Sequence, residues 1–324
     1  MSGDALTEHV GPLIEGAALR EIAELIGATS IPVEVVDIGA SPLVGEPPAY
    51  AALVEAGLAR VTAFEPDPEA LAALRKTEAE RESGSTDTAN KAGTTRHLGH
   101  AVGDGQRHVL RRCDAAGFSS LLEPDARQLA VLTDFPRLAS VVERTEVDTV
   151  RLDAVPDLER ADLLTLDVQG SEPAVLDGGR SVLASVFAVQ VEVAFHRLYE
   201  GGPTLADVDR RLRDAGLVPH MFVTTRTWPL APIPWDDPLQ AHSRHLVEAD
   251  LLYVADLTRL ADRTDASLRA AALIACGAYG SVGLALACVT ELVRGGTLPE
   301  DTPARVRRIA SVALGLDQTN GGHR

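Results

Sequence analysis

Short apolar runs alternate with stretches of helical spacing along most of this chain. The run over residues 33–38 is apolar at nearly every position and stops at Asp37-Ile38-Gly39, which predicts a strand covered on both faces. Similar runs predict strands over 60–64, 163–166 and 187–195, with two closing strands over 218–225 and 245–254. A short strand is expected over 97–102 and a strand-like segment over 140–152. Apolar positions at Leu13, Ile14, Leu19, Ile22 and Leu25 predict a helix within residues 4–28. Further helices are expected over 49–56, 69–76 and 205–215. Ser171 reads as a helix cap, with Pro173 in the first turn and Gly178-Gly179 past the end. Strands that alternate with helices need crossovers that span the sheet, so the expected fold is a doubly wound, mostly parallel α/β sheet.

Two polar stretches break this rhythm. Residues 77–95 lack apolar periodicity and read as a surface loop, and the segment holding Gly117-Phe118-Ser119-Ser120-Leu121 reads as irregular. From about 259 the chain is Ala-rich and helical. Residues 271–290 carry no charge, but Ala, Gly, Ser and Cys dominate them. With Cys276, Gly280, Gly283 and Ala287 at three- and four-residue steps, this predicts a helix packed on another helix rather than a membrane span. The expected organisation is a helical segment over 1–30, a core domain over 31–258 and a helical extension over 259–324, with no internal repeat.

Composition narrows the function classes. Only 4% of residues are aromatic, which favours helices on a buried sheet over an aromatic-rich sandwich. The balance of 30 Lys+Arg against 47 Asp+Glu gives a formal charge of −17, which disfavours nucleic acid and anionic membranes as partners. Three cysteines and an amino terminus without a basic start or apolar core lead to the expectation of a cytoplasmic protein. The small-residue stretch near Gly280 also suggests a homodimer contact.

The chemistry is expected at the carboxyl ends of the strands, where ligands sit in open parallel sheets. The first strand ends in Asp37-Ile38-Gly39-Ala40-Ser41, the second in Glu65, and the strand over 163–166 leads into Asp167-Val168-Gln169-Gly170-Ser171-Glu172. An acid after the second strand suits the two hydroxyls of a ribose. A pyrophosphate cradle needs G-x-G-x-x-G, whereas this turn has Gly39 and then Gly45. A nicotinamide-dependent dehydrogenase is therefore disfavoured, and a nucleoside without phosphates fits.

Several blocks in order resemble the FkbM-type methyltransferases: VVDIGA (35–40), AFEPDPEAL (63–71), GFSSLLEPD (117–125), RLD (151–153), DLLTLDVQGSEPAVLDGG (162–179) and VEVAFHRLYEGGPTLADVDRRLRDAGL (191–217). The resemblance implies a Rossmann-like class I methyltransferase fold, S-adenosylmethionine as cofactor and transfer of its methyl group, usually to a hydroxyl of a sugar or other small molecule. Many relatives continue the first motif as GAN, where this chain has Gly39-Ala40-Ser41-Pro42. That departure keeps a second reading open, a non-catalytic binding or assembly protein on the same core.

By position and resemblance, Asp37, Gly39 and Ser41 are expected on the methionine side of the cofactor and Glu65 on its ribose. Asp104 is a candidate for the adenine edge or a turn residue, and Gln169 a further cofactor contact. Asp167 is a candidate for base or cofactor contact. His196 is a second candidate base, with Glu192 as its orienting partner; the bland alternative for His196 is a loop position. Glu172 favours a helix start. Ser119, Ser120 and Tyr199 are acceptor-facing candidates or packing residues. No metal-ligand set stands out, because His97 and His100 would point to opposite faces of a strand.

Overall fold

The computed structural model describes residues 6–39, 47–84, 93–234, 236–242 and 244–316. In chain order the elements are β1 (Leu6–Glu8), α1 (Gly16–Leu25), β2 (Val33–Ile38), α2 (Ala51–Glu55), β3 (Ala59–Phe64), α3 (Pro68–Gly84), β4 (Thr95–Leu98), β5 (Ala101–Val102) and β6 (Arg107–Cys113). They continue as α4 (Ala126–Leu129), α5 (Phe135–Leu138), β7 (Val141–Val150), β8 (Leu163–Leu166), α6 (Glu172–Gly178), α7 (Arg180–Ser185), β9 (Ala188–Ala194) and α8 (Leu205–Asp214). The last are β10 (Leu217–Trp228), β11 (His245–Ala255), α9 (Asp265–Gly277), α10 (Val282–Arg294) and α11 (Thr302–Ala313).

Eight strands form the main sheet in the order β1-β10-β11-β9-β8-β2-β3-β4. The run from β9 through β8, β2 and β3 to β4 is parallel. The chain starts in the middle at β2, moves outward through β3 and β4, and returns to β8 on the other side. This reversal opens a crevice above the carboxyl ends of β2 and β8. The fold is the Rossmann-like α/β architecture expected from the strand and helix rhythm.

Alternate residues of each central strand serve two cores. Val33, Val35, Ala59, Val61 and Leu163 join α1, α2 and the carboxy-terminal helices α9–α11 in one cluster. Val36, Ile38, Phe64, Leu164 and Leu166 join α6, α7 and α8 in another. The apolar runs are continuous because both faces are covered.

The structure departs from the sequence reading at five places. Residues 6–8 form the edge strand β1, antiparallel to β10, where a helix was expected. Three residues at a sheet edge lack a period of their own, so only the partner strand reveals them. Helix α3 runs to Gly84, well into the stretch read as a loop; its polar surface obscures it. Strand β6 emerges from the segment read as irregular, pairing antiparallel with β7 in a small sheet of order β5-β7-β6. Strand β11 is antiparallel to both neighbours, because no α-helix lies between it and β10 to carry a crossover. The uncharged stretch over 271–290 is two helices that break around Gly280, whose φ of +60° ends helical geometry. Among the described residues no helix is long and apolar enough to cross a membrane.

Candidate active site

A cleft of about 420 Å³ lies over the carboxyl ends of β2, β3 and β8. Gly39, Glu65, Asp167 and Gln169 line it, so the strand-end residues singled out in the sequence converge on one space. Its other walls come from Pro66 to Ala70, from the His100 to Val102 stretch, and from Leu110, Arg112 and the 116–121 segment. The segment GFSS, irregular by sequence, is therefore a wall of the site.

Gly39 sits where β2 and β8 come closest. Its φ is +91°, and a Cβ there would overlap the backbone carbonyl of Asp167. Backbone stands in for a side chain at this point and leaves the floor of the cleft open. Glu65 follows β3 and is only 5% exposed. One carboxylate oxygen accepts the Asp67 N–H at 2.7 Å, and the other has no hydrogen-bond partner among the described residues. Burial raises its pKa, although the Asp67 N–H opposes this.

Asp167 follows β8 at the opposite end of the cleft. Its Oδ1 accepts from Gln169 Nε2 at 2.8 Å, and the same nitrogen donates to Glu192 Oε2 at 2.7 Å. One amide thus ties two carboxyls together. The Tyr199 hydroxyl lies 3.0 Å from the amide's oxygen, which fixes which way the amide points. Gln169 itself has a φ of +48°, an unusual backbone for a residue with a side chain. Two contacts hold it there. Ser120 Oγ donates to the Gln169 carbonyl at 2.6 Å, and Glu172 Oε1 accepts the N–H groups of Val168 and Gly170, each at 3.2 Å. Strain of this kind persists only where the surroundings over-determine it, commonly at functional sites.

The carboxyls here are crowded. Burial pushes Asp167 up to about 6, with Asp250 and Glu248 adding to the shift and the Gln169 hydrogen bond opposing it. Burial pushes Glu172 up to about 7. Glu192 is raised well above the ordinary carboxyl range, by burial first and then by Asp167, Glu248 and Asp250. Arg226 pairs with Glu248 and lies 3.9 Å from Glu192. Arg226, Glu248 and Asp250 carry no local sequence signal; alternation along β10 and β11 is the trace that could have pointed to them.

Three residues singled out in the sequence lie outside this cleft. Asp37 does not line the cleft: its carboxylate accepts from Tyr50 and Thr165 hydroxyls, both at 2.6 Å, on the sheet face covered by α2. Asp104 lies in a separate cleft of about 360 Å³ and is engaged by His108 at 2.8 Å, the Gln106 N–H and Thr149. The His108 contact holds its carboxyl below the usual range. His196 does not line the cleft either; its Nε2 meets the Gln128 carbonyl at 3.0 Å and its Nδ1 meets His245 at 3.3 Å. Both ring nitrogens thus have protein partners. Glu192 consequently orients Gln169 rather than His196. Ser171 occupies the cap position of α6 without a side-chain cap hydrogen bond, Glu172 satisfying the turn instead. Ser41 lies outside the described residues.

The match to a family model covers residues 37–218, more than half of the chain, and its description is methyltransferase FkbM domain. No curated protein matches the sequence. Solved structures with partial likeness include a magnesium protoporphyrin IX methyltransferase from Synechocystis with bound S-adenosylmethionine, at 11% identity and a TM-score of 0.35 over 74% of this chain and 78% of that one. Another is an O-methyltransferase from a trans-AT PKS multienzyme of Brevibacillus brevis with S-adenosylhomocysteine, at 10% identity and a TM-score of 0.36 over 86% and 83%. A precorrin-6y C5,15-methyltransferase from Geobacter metallireducens aligns at 12% identity and a TM-score of 0.31 over 75% and 94%. The family model, not these distant likenesses, carries the assignment. With its Rossmann-like class I fold and a strand-end cleft, the chain belongs to the FkbM methyltransferase family, whose cofactor is S-adenosylmethionine.

Proposed function

We propose that this methyltransferase methylates a hydroxyl oxygen of a neutral small molecule, with Asp167 receiving the hydroxyl proton. One observation supports this most: a single cleft runs from Glu65 to Asp167 across the exposed backbone of Gly39. The cleft suits the cofactor. Its charged lining is mainly acidic, with Glu65, Asp67, Glu69 and Asp167 against Arg112, which favours a cationic, phosphate-free nucleoside and disfavours a pyrophosphate. Glu65, with one oxygen that has no hydrogen-bond partner among the described residues, would hold the ribose hydroxyls, and Gly39 would face the methionine portion. When bound, the cofactor supplies an electrophilic methyl group on a positively charged sulfur.

The chain's residues then align the acceptor and take its proton. Asp167 is half-buried and, among the described residues, its carboxylate takes one side-chain hydrogen bond, from Gln169, so a second oxygen would be on offer to an incoming hydroxyl. A carboxyl pushed up to about 6 is ionised at neutral pH and is a stronger base than an exposed aspartate. Tyr199, Ser120 and Glu172 keep the Asp167–Gln169 turn in place, which preserves the alignment on which a displacement depends.

Calorimetry with S-adenosylmethionine tests the cofactor end. Replacing Glu65 with Ala removes hydrogen bonds to a charged acceptor, each of which contributes roughly 1.5–3 kcal/mol, so binding is expected to weaken at least about tenfold. Unchanged affinity would remove Glu65 from the ribose. Incubation with labelled cofactor and a panel of sugars and other hydroxylated metabolites, followed by mass spectrometry, locates the methyl group. Transfer confined to nitrogen would overturn the hydroxyl assignment.

A further inference from the structure

We propose that Arg226 is a positioning residue for Asp167: from behind the cleft, its guanidinium balances a row of carboxylates and thereby keeps Asp167 ionised and able to accept a proton. This inference rests on the reading of Asp167 as the base. Asp167 follows β8, Glu172 opens α6, Glu192 stands on β9, and Glu248 and Asp250 stand on β11. The strand register brings them together. Arg226 is the cross-strand partner of Glu248, and Asp250 is the partner of Glu192. Gln169 Nε2 then bridges Glu192 to Asp167, with distances of 2.7 and 2.8 Å. The Thr224 hydroxyl donates to Asp250 at 2.5 Å, and the Tyr199 hydroxyl closes the other side of Gln169.

Glu248 and Glu192 thus flank the Arg226 guanidinium, and Asp250 and Asp167 lie within range of its charge. So many like charges at close quarters oppose one another's ionisation, and the position of the nearest cation decides which keep a proton. Arg226 contacts Glu248 and Glu192 directly, while Asp167 feels its charge across Gln169. Burial works against the charge on Arg226, but Glu248 and Glu192 raise its pKa overall, so it stays a cation. Its side chain is 42% exposed, so it links the buried row to the surface.

The decisive measurement needs neither cofactor nor acceptor. Carbon-13 NMR of labelled aspartate carboxyls follows the titration of Asp167 in the whole chain, with Asp167→Asn identifying the signal. Arg226→Gln is expected to move the Asp167 midpoint up by about one pH unit or more, and Arg226→Lys to return most of that shift. A midpoint that stays in place in folded Arg226→Gln overturns the proposal. If that variant does not fold, Glu248→Gln gives the opposite test: with one acid removed and the cation kept, the midpoint moves down, and no downward movement overturns the proposal equally. Failure of the base reading looks different. Methyl transfer retained by Asp167→Asn would sink that reading while leaving these titrations as they are.

Discussion

Glu172 shows how one side chain decides the shape of the site. Its carboxyl closes the turn beneath Gln169, and folding raises its pKa from 4.5 to about 7. Between those values the folded chain still holds a proton that the unfolded chain has released. Stability therefore falls as pH climbs through that window and levels off above it. Asp167, pushed up to about 6, acts in the same direction. A Glu172→Gln variant keeps an acceptor oxygen for the Val168 and Gly170 N–H groups without a charge. Urea unfolding at pH 5 and pH 8 should show it more stable than the parent at the higher pH, by roughly 1–3 kcal/mol, and less dependent on pH. Equal pH dependence in both proteins would show that Glu172 is ionised in the folded state. Much at this scale was legible beforehand: Gly39, Glu65, Asp167 and Gln169 line one cleft, because each follows a strand that the apolar pattern locates. Asp37 lies outside that cleft because a strand's last residues alternate between faces, and Tyr50 and Thr165 hold it on the other one.

Among the elements, α9 has an unexpected place. It packs on α1, α2 and β2, and its residues from Ala270 to Gly277 are buried. A Cβ at Gly277 would come within 2.8 Å of a Leu19 methyl and 3.1 Å of a Leu53 methyl. The absence of a side chain at Gly277 lets α9 approach two other helices at once. Gly277→Val is expected to overpack this junction and destabilise the fold by about 1–3 kcal/mol, which a shift in the urea midpoint would register. A midpoint unchanged from the parent would mean that the junction relaxes without cost. The stretch read as one long helix proved to be two. Gly280 turns with a positive φ, and a Cβ on it would meet the carbonyls of Gly11 and Pro12 at 2.9 Å. Sequence spacing alone could not separate a small-residue contact from a turn, since glycine serves both.

Over the whole molecule, the carboxy-terminal helices complete the core of the methyltransferase sheet. Leu268 to Ala310 share one apolar cluster with α1, β2 and β3. A chain cut after residue 258 leaves that sheet face uncovered, so we expect it to lose cooperative thermal unfolding, as followed by circular dichroism. A sharp transition close to that of the full chain would show that the helices are an accessory. The overall charge of −17 has a local counterpart in the acid row behind the cleft. Both disfavour anionic ligands, but only the row acts at the distance of a hydrogen bond.

The layered, mostly parallel α/β fold and the strand ends that line the cleft were legible in the amino-acid sequence alone. These follow from periodicity within a few residues and from the rule that crossovers join parallel strands. Tertiary structure alone decided which distant groups meet. Strand β6 owes its existence to β7, more than thirty residues on, and the antiparallel β11 to the absence of a crossover helix. His196 was drawn away by Gln128 and His245, while Arg226, Glu248 and Asp250 were brought behind Asp167 by cross-strand register. Such pairings join residues that no local pattern connects, and the charge state of the candidate base depends on them.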